Sequence, residues 1–326
     1  MKYKLNKRYV IGIHVMFFEI EMFKEYVDGL LNLLNDVTNK DNIVLDFCFN
    51  TSEHIEKIDT SLISKTELIS KFKTELLRLH EYTLNVKYHD TTDGFYYHAD
   101  YRRDLNYNYC KKVDYIMWGE TDSLFPKEAL QVIERLSTYT DEQGTHRYIL
   151  SFADRKMWDA SWDPLVHPKF VNHTFIDDEN GHLNPNQAKS QMSILRMNEI
   201  NAEADDFDIG WITEPKISGS CLVLSADLIK SGVNVPSCLI YNDDEGLSIM
   251  AKKLLGDKFI QFICKNILHV HARRHPQKRL YVANENNPHS FAPLKHDKFK
   301  QFKKLSQSNI NSLITNEGKF YEYTDY

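Results

Sequence analysis

Long apolar runs are missing from this chain. Nowhere in its 326 residues do about 18 apolar residues follow one another, the length a membrane-spanning helix requires, so no span is expected. The basic N-terminal stretch, Met1 to Arg8, leads into apolar sequence that is broken by His14, Glu19 and Glu21 and has no small-residue cleavage site. No signal peptide is expected there. Cysteine is scarce: Cys48, Cys110, Cys221, Cys238 and Cys264 are odd in number, widely spaced and mostly set in apolar sequence. They are expected to be buried thiols in a reducing cytoplasm, not disulfide staples or metal ligands. Internal repeats and low-complexity linkers are absent. So is any glycine-rich phosphate loop after the first apolar segment, "GIHVMFFEIEMF", and a sugar nucleotidyltransferase would need one there.

What is present suffices for a sizeable core. With 42% hydrophobic residues the chain fits one large α/β domain, or one domain with an appendage. "RYVIGIHV" (8–15), "NIVLDFCF" (42–49), "LNVKYH" (84–89) and "VDYIMW" (113–118) are expected to be strands. Between them, residues 23–36 and 64–80 carry apolar side chains at helical spacing, and a further helix is expected around 97–111. Ser64, with Glu67 three residues on, forms a capping signature. Such alternation implies parallel pairing and a doubly wound sheet, in which ligands bind at the carboxyl ends of the strands.

Charge is unevenly spread. Between Lys265 and Lys304 ten Lys or Arg face only Glu285 and Asp297, a local net of +8 in a chain of net −6. A basic end on an acidic body suggests an anionic ligand there. For Lys295 to Lys304 a solvated helix face is the competing explanation.

"MWGETDSLFP" (117–126) sends the fourth strand into Glu120 and Asp122 and then into Pro126, expected to open the helix "PKEALQVIERL". Two carboxylates so close repel unless something positive sits beside them. A divalent cation carrying phosphate oxygens would serve, and a polar turn with a helix-capping acid would show the same residues.

The run "YRRDLNYNYCKKVDYIMWGETDSLFP" resembles the signature of nucleotide-sugar-dependent glycosyltransferases of the GT-A fold, family 2-like, with Arg103 and Asp104 in place of an Arg-Asn pair, Tyr115 and Ile116 in the strand, and Glu120-Thr121-Asp122 as the DxD-type triplet. The resemblance implies an α/β, GT-A (Rossmann-like) fold: a mixed, mostly parallel sheet with helices on both faces, an irregular acceptor-side insertion and a helical basic C-terminal segment. It further implies a donor-binding half over 1–153, an acceptor-binding and catalytic half of the same domain over 154–275, and a basic extension over 276–326.

Two further stretches are similar to elements of that family. "ISGSCLVLSADLIKSG" (217–232) looks like its small-residue strand and following helix, where Gly219 and Ser220 would let an acceptor or the transferred sugar come close. "YNDDEGLSIMAKKL" (241–254) is similar to an acidic pair opening a helix, with Asp243 and Asp244 as catalytic candidates and Asp244 as general base. Helix capping would use the same residues at the same place. In "ILHVHARRHP" (267–276) His269 and His271 share one face if the stretch is a strand, and the resemblance makes one of them, His271 by preference, a metal ligand.

The roles implied are then Asp122, Glu120 and His271 for a divalent cation (Mn2+ or Mg2+), and Arg103, Glu120, Arg273 and Arg274 for the nucleoside-diphosphate sugar, with Lys278 and Arg279 further cations suited to diphosphate oxygens. Residues 154–211 hold Trp158, Trp162 and Trp211 in a poorly periodic stretch expected to cover the acceptor. The expected activity is metal-dependent, inverting sugar transfer to a glycan. A hydroxymethylated DNA base is the second acceptor, as in viral enzymes acting in a host cytoplasm, to which the basic C-terminal segment is suited. A sugar nucleotidyltransferase and a non-catalytic carbohydrate-binding relative are the alternatives.

Overall fold

Tyr9–Met16, the first strand β1, is buried along its whole length, as a central parallel strand must be when helices cover both faces of its sheet. The computed structural model describes residues 2–54, 56–81, 85–91, 96–154, 160–167, 170, 193–270, 278–283 and 297–323. After β1 come α1 (Ile20–Leu34), β2 (Ile43–Asn50), α2 (Lys65–His80), β3 (Val86–Thr91), α3 (His98–Tyr109), β4 (Tyr115–Gly119), α4 (Ala129–Glu142) and β5 (Tyr148–Ala153). The second half supplies α5 (Ile194–Asn201), β6 (Ile209–Ile212), β7 (Cys221–Ser225), α6 (Ala226–Lys230), α7 (Asp243–Leu255), β8 (Ile260–Leu268) and α8 (Asp297–Thr315).

The strands form one eight-stranded sheet in the order β3-β2-β1-β4-β7-β5-β8-β6. β1, β2, β3 and β4 pair in parallel, as do β5 and β8, whereas β7 is antiparallel to both β4 and β5, and β6 is antiparallel to β8. The expected mixed, mostly parallel α/β sheet is therefore present. It runs across the boundary at residues 153 and 154, so both halves of the chain build it.

Alternation along β1 divides the core. Tyr9, Ile11, Ile13 and Val15 meet Phe23, Phe72 and Ile133 of α1, α2 and α4 on one face. Val10 joins Leu105, Leu228, Leu247 and Ile310 of α3, α6, α7 and α8 on the other. Helix α3 lies so close to β1 that a side chain at Gly12 would collide with Leu105. The Ser64 signature forms as expected: its hydroxyl accepts from Glu67 N at 3.2 Å, and Glu67 Oε2 accepts from Ser64 N at 2.8 Å.

Three expectations need correction. Pro126 does not open α4, because it sits in a preceding turn whose carbonyl accepts from Ala129 N at 3.0 Å, where the helix begins. Among the described residues of 154–211 there is regular structure that the periodicity did not mark, α5 and the start of the edge strand β6, which at four residues is too short to show a period. The strand expected from Ile267 onward does not continue through the described residues: β8 ends at Leu268, and Val270 forms only an isolated bridge with Leu124. No described helix is long and apolar enough to cross a membrane. The five cysteines are free, four buried and Cys238 partly so.

Candidate active site

The site begins where β4 ends. Gly119 pairs with Cys221 of antiparallel β7, so the turn after β4 lies beside the loop that enters β7. Ser123 closes that turn, its hydroxyl donating to Glu120 O at 2.8 Å and also recorded 2.9 Å from Ser220 O. Leu124 N donates to Val270 O at 2.9 Å, bringing the chain beyond β8 alongside. Sequence positions near 120, 220 and 270 thereby share one end of the sheet.

Arg102 ties them together. It is 4% exposed and donates from Nη2 to Glu120 Oε1 and Gly219 O, both at 2.8 Å, and from Nη1 to Asp243 Oδ2. Its guanidinium also lies 4.8 Å from the ring centroid of Trp118. Burial alone would lower its pKa, but Asp243 and Glu120 outweigh that and hold the guanidinium charged. Arg103, expected near the nucleotide, turns away to Asp100 and the Pro236 carbonyl. Asp104 accepts from Tyr96 OH at 3.0 Å. Helical phase explains the difference: Arg102 shares the buried face with Ala99, Leu105 and Asn106, one turn to either side.

Gly219 makes room for this arginine, because an added side chain would run into the Arg102 guanidinium. Ser220 is fully buried and hydrogen-bonded to His269 Nε2 at 2.9 Å. These two residues shape the site from beneath. His269 lies within it as a buried partner of Ser220, 3.9 Å from Asp154 Oδ2.

The acid pair opens α7 after Asn242, whose φ of 59° is left-handed. Asn tolerates that region better than most residues, and the sharp entry aims consecutive carboxylates differently. Asp243 goes to Arg102, whereas Asp244 makes a local contact, accepting from Glu245 N at 2.8 Å. Burial, then the neighbouring charge of Asp243, lift the Asp244 carboxyl from its ordinary 3.8 to about 7, against the opposing pull of Arg102.

Asp122 has a different partner. Lys278 Nζ lies 3.1 Å from Asp122 Oδ2 and 3.3 Å from Glu19 Oε1. Glu19 is 7% exposed, at the end of the 3-10 turn that follows β1, and accepts from Met16 N at 3.3 Å. The carboxylate that converges with Asp122 is thus Glu19, not Glu120, which is engaged with Arg102. Among the described residues no three His, Cys, Asp or Glu side chains gather to hold a metal by themselves. Two carboxylates converging on one positive charge nevertheless fit a hard cation whose shell substrate phosphates complete, and the Lys278 ammonium stands in that place. His271, Arg273, Arg274 and Trp158 lie outside the described residues.

Trp162 and Trp211 have different surroundings. Lys216 Nζ sits 4.1 Å from the Trp162 ring centroid, covering that indole face. Trp211 is 64% exposed on β6, four strand positions from β4 or about 19 Å across the sheet. Near the ends of β1 and β2, His14 hydrogen-bonds Asn50 at 3.2 Å and packs edge-on against His98 at 4.5 Å. Burial, with His98 and Arg102 nearby, keeps it neutral.

Arg102 and Glu19 were missed in the sequence, and Lys278 was expected to meet diphosphate oxygens, not Asp122. Helical phase would have pointed to Arg102. Glu19 and Lys278 carry no local signal, because they meet Asp122 from 103 and 156 positions away.

No protein-family model and no curated protein sequence matches the chain. Among solved structures it is similar to S. aureus TarS 1-349, at 10% identity over 94% of this chain and 81% of that one, with a TM-score of 0.44. It is also similar to GalNAc-T7 solved with UDP, GalNAc and Mn2+, at 9% identity over 96% of this chain and a TM-score of 0.47, spanning 55% of that longer chain. A UDP-glucose pyrophosphorylase complexed with UDP-glucose is similar at 8% identity over 79% of this chain and 90% of that one, with a TM-score of 0.36.

Proposed function

We propose that this protein is a glycosyltransferase that moves a sugar from a nucleoside-diphosphate donor to an acceptor hydroxyl with inversion. The observation that carries this is Arg102, which joins Glu120 after β4 to Asp243 of the acidic pair opening α7. Transfer with inversion needs a charge-stabilising region for the leaving diphosphate and a base facing the acceptor. These two acidic motifs supply candidates for both.

Asp244 is the base. A carboxyl lifted to about 7 is poised to accept a proton near neutrality. The acceptor oxygen bonds to the anomeric carbon as its proton passes to Asp244, and the bond from that carbon to the diphosphate oxygen breaks, its electron pair leaving with the nucleoside diphosphate. Asp243 and Glu120 keep Arg102 in place, and Arg102 in turn fixes the loop at Gly219. A divalent cation held by Asp122 and Glu19 would neutralise charge on the diphosphate.

Nucleotidyl transfer is less well supported. The residues directly after β1, Phe17, Phe18 and Glu19, are aromatic and acidic where that chemistry needs phosphate-cradling backbone.

The test is a panel of nucleoside-diphosphate sugars with Mn2+, assayed for donor hydrolysis and for transfer to glycan acceptors, wild type beside Asp244→Asn. Turnover of one donor, lost in the variant while donor binding persists, is the expected result. Equal turnover in the variant would remove Asp244 as base. Release of pyrophosphate from a sugar phosphate and a nucleoside triphosphate would establish the nucleotidyltransferase instead.

A further inference from the structure

Lys278 stands where a cation would act. Its ammonium lies within 3.3 Å of both Glu19 and Asp122, and three charges so arranged leave a net of −1, a deficit that a divalent ion in place of the ammonium would cancel. Burial alone would lower the lysine's pKa, but Asp122 and Glu19 together hold it above its ordinary value, so the amine stays charged. The side chain is 29% exposed, which leaves it within reach of a ligand.

The segment bearing Lys278 is built into the fold. Arg279, at φ 72°, donates from its backbone N–H to Phe18 O at 2.7 Å, and its side chain pairs with Glu56. Ala283 N donates to Lys57 O at 2.8 Å, Asp59 N to Tyr281 O at 2.9 Å, and Val282 bridges Ile58. With this backbone anchored, only the flexible four-carbon stem of Lys278 need move for its ammonium to change partners.

We propose, on the glycosyl-transfer reading above, that Lys278 couples cation binding to donor binding: without donor its ammonium occupies the place between Asp122 and Glu19, and with donor it turns to the diphosphate and yields that place to a divalent cation. The physical basis is charge exchange. A cation approaching Asp122 and Glu19 meets the ammonium as a like charge a few ångströms away, a repulsion worth at least about tenfold in affinity at a partly buried site. Diphosphate oxygens give the ammonium a second anionic partner and lift that penalty. Reciprocity requires that the cation improve nucleotide affinity by the same factor.

The experiment measures Mn2+ binding by calorimetry and by the free-ion EPR signal, on the full chain, with and without saturating UDP or GDP. Wild type should bind Mn2+ weakly alone and at least about tenfold more tightly with one of these nucleotides. Lys278→Met should bind Mn2+ alone at least about tenfold more tightly than wild type, with weaker nucleotide binding and reduced coupling, whereas Lys278→Arg should keep the weak metal-alone affinity. Equal Mn2+ affinity in wild type and Lys278→Met without nucleotide would overturn the inference. So would wild-type Mn2+ affinity indifferent to a nucleotide that binds, a result that needs no variant to fold. If neither UDP nor GDP binds with Mn2+ present, the donor half falls with the glycosyl-transfer reading, and the metal-alone comparison still decides whether Lys278 guards the carboxylates.

Discussion

Arg102 and Asp243 stand 141 positions apart in the chain and form a buried ion pair beneath the candidate active site. Because Glu120 and the Gly219 carbonyl accept from the same guanidinium, removing it would leave two carboxylates and a carbonyl without their donor. Breaking a buried pair from one side costs about 3–5 kcal/mol. Arg102→Ala should therefore lose stability of that order in urea unfolding. Arg102→Lys should recover little of it, since one ammonium cannot reproduce a planar fork addressed to three acceptors.

Asp244 carries a pH prediction of defined sign. Folding raises its pKa from 3.8 to about 7, so between about pH 4 and 7 the folded chain holds a proton that the unfolded chain releases. The associated stability is complete below the unfolded value and is lost as pH rises through about 7. Asp244→Asn, which cannot ionise, should be more stable than wild type at pH 8, by on the order of a few kcal/mol, and nearly equal to it at pH 4. Thermal unfolding at the two pH values checks this. The kcat profile of wild type should rise with pH through an apparent pKa near 7, as Asp244 becomes the free base.

The carboxylates near β4 should separate by role. Asp122→Asn and Glu19→Gln should each weaken nucleotide-dependent Mn2+ binding by about tenfold or more, since each removes one hard oxygen ligand. Glu120→Gln should leave Mn2+ binding nearly unchanged and instead lower stability through Arg102. Calorimetry and urea unfolding on the three variants distinguish the two effects, and strong loss of Mn2+ binding in Glu120→Gln would return that residue to the metal.

The basic C-terminal helix offers a test of the acceptor. Phe302 is buried with Met16, Tyr97 and Ile240, and Ser306 and Asn309 donate to Tyr241 O and Cys238 O at 2.6 and 2.7 Å, so this face of α8 is spent on docking. Lys300, Lys303 and Lys304 remain exposed. If these lysines serve only as a solvated face, Lys→Gln at all three should leave transfer to a neutral glycan unchanged across a salt series. For duplex or single-stranded DNA with hydroxymethylated bases, binding that weakens steeply with salt, and less steeply in the variant, would instead make nucleic acid the acceptor.

Much of this architecture is written locally. Apolar runs mark β1, β2 and β4, helical spacing marks α1 and α2, and the polar breaks at Glu120 to Ser123 and at Asn242 to Glu245 mark element ends, because each signal depends on neighbours within a few residues. The paired carboxylates of the triplet likewise demanded positive partners on electrostatic grounds alone. Which cations answer was decided by tertiary structure: Arg102 for Glu120, where Arg103 had been expected nearby, and Lys278 for Asp122. Glu19 and Gly219 also take their roles from contacts more than 100 residues away in sequence, with Lys278 and Arg102 respectively. Neither a guanidinium beneath a glycine nor a carboxylate facing a distant lysine leaves a periodic trace. Their stabilities depend on burial and on which strand lies beside which, and those are set only once antiparallel β7 has inserted between β4 and β5.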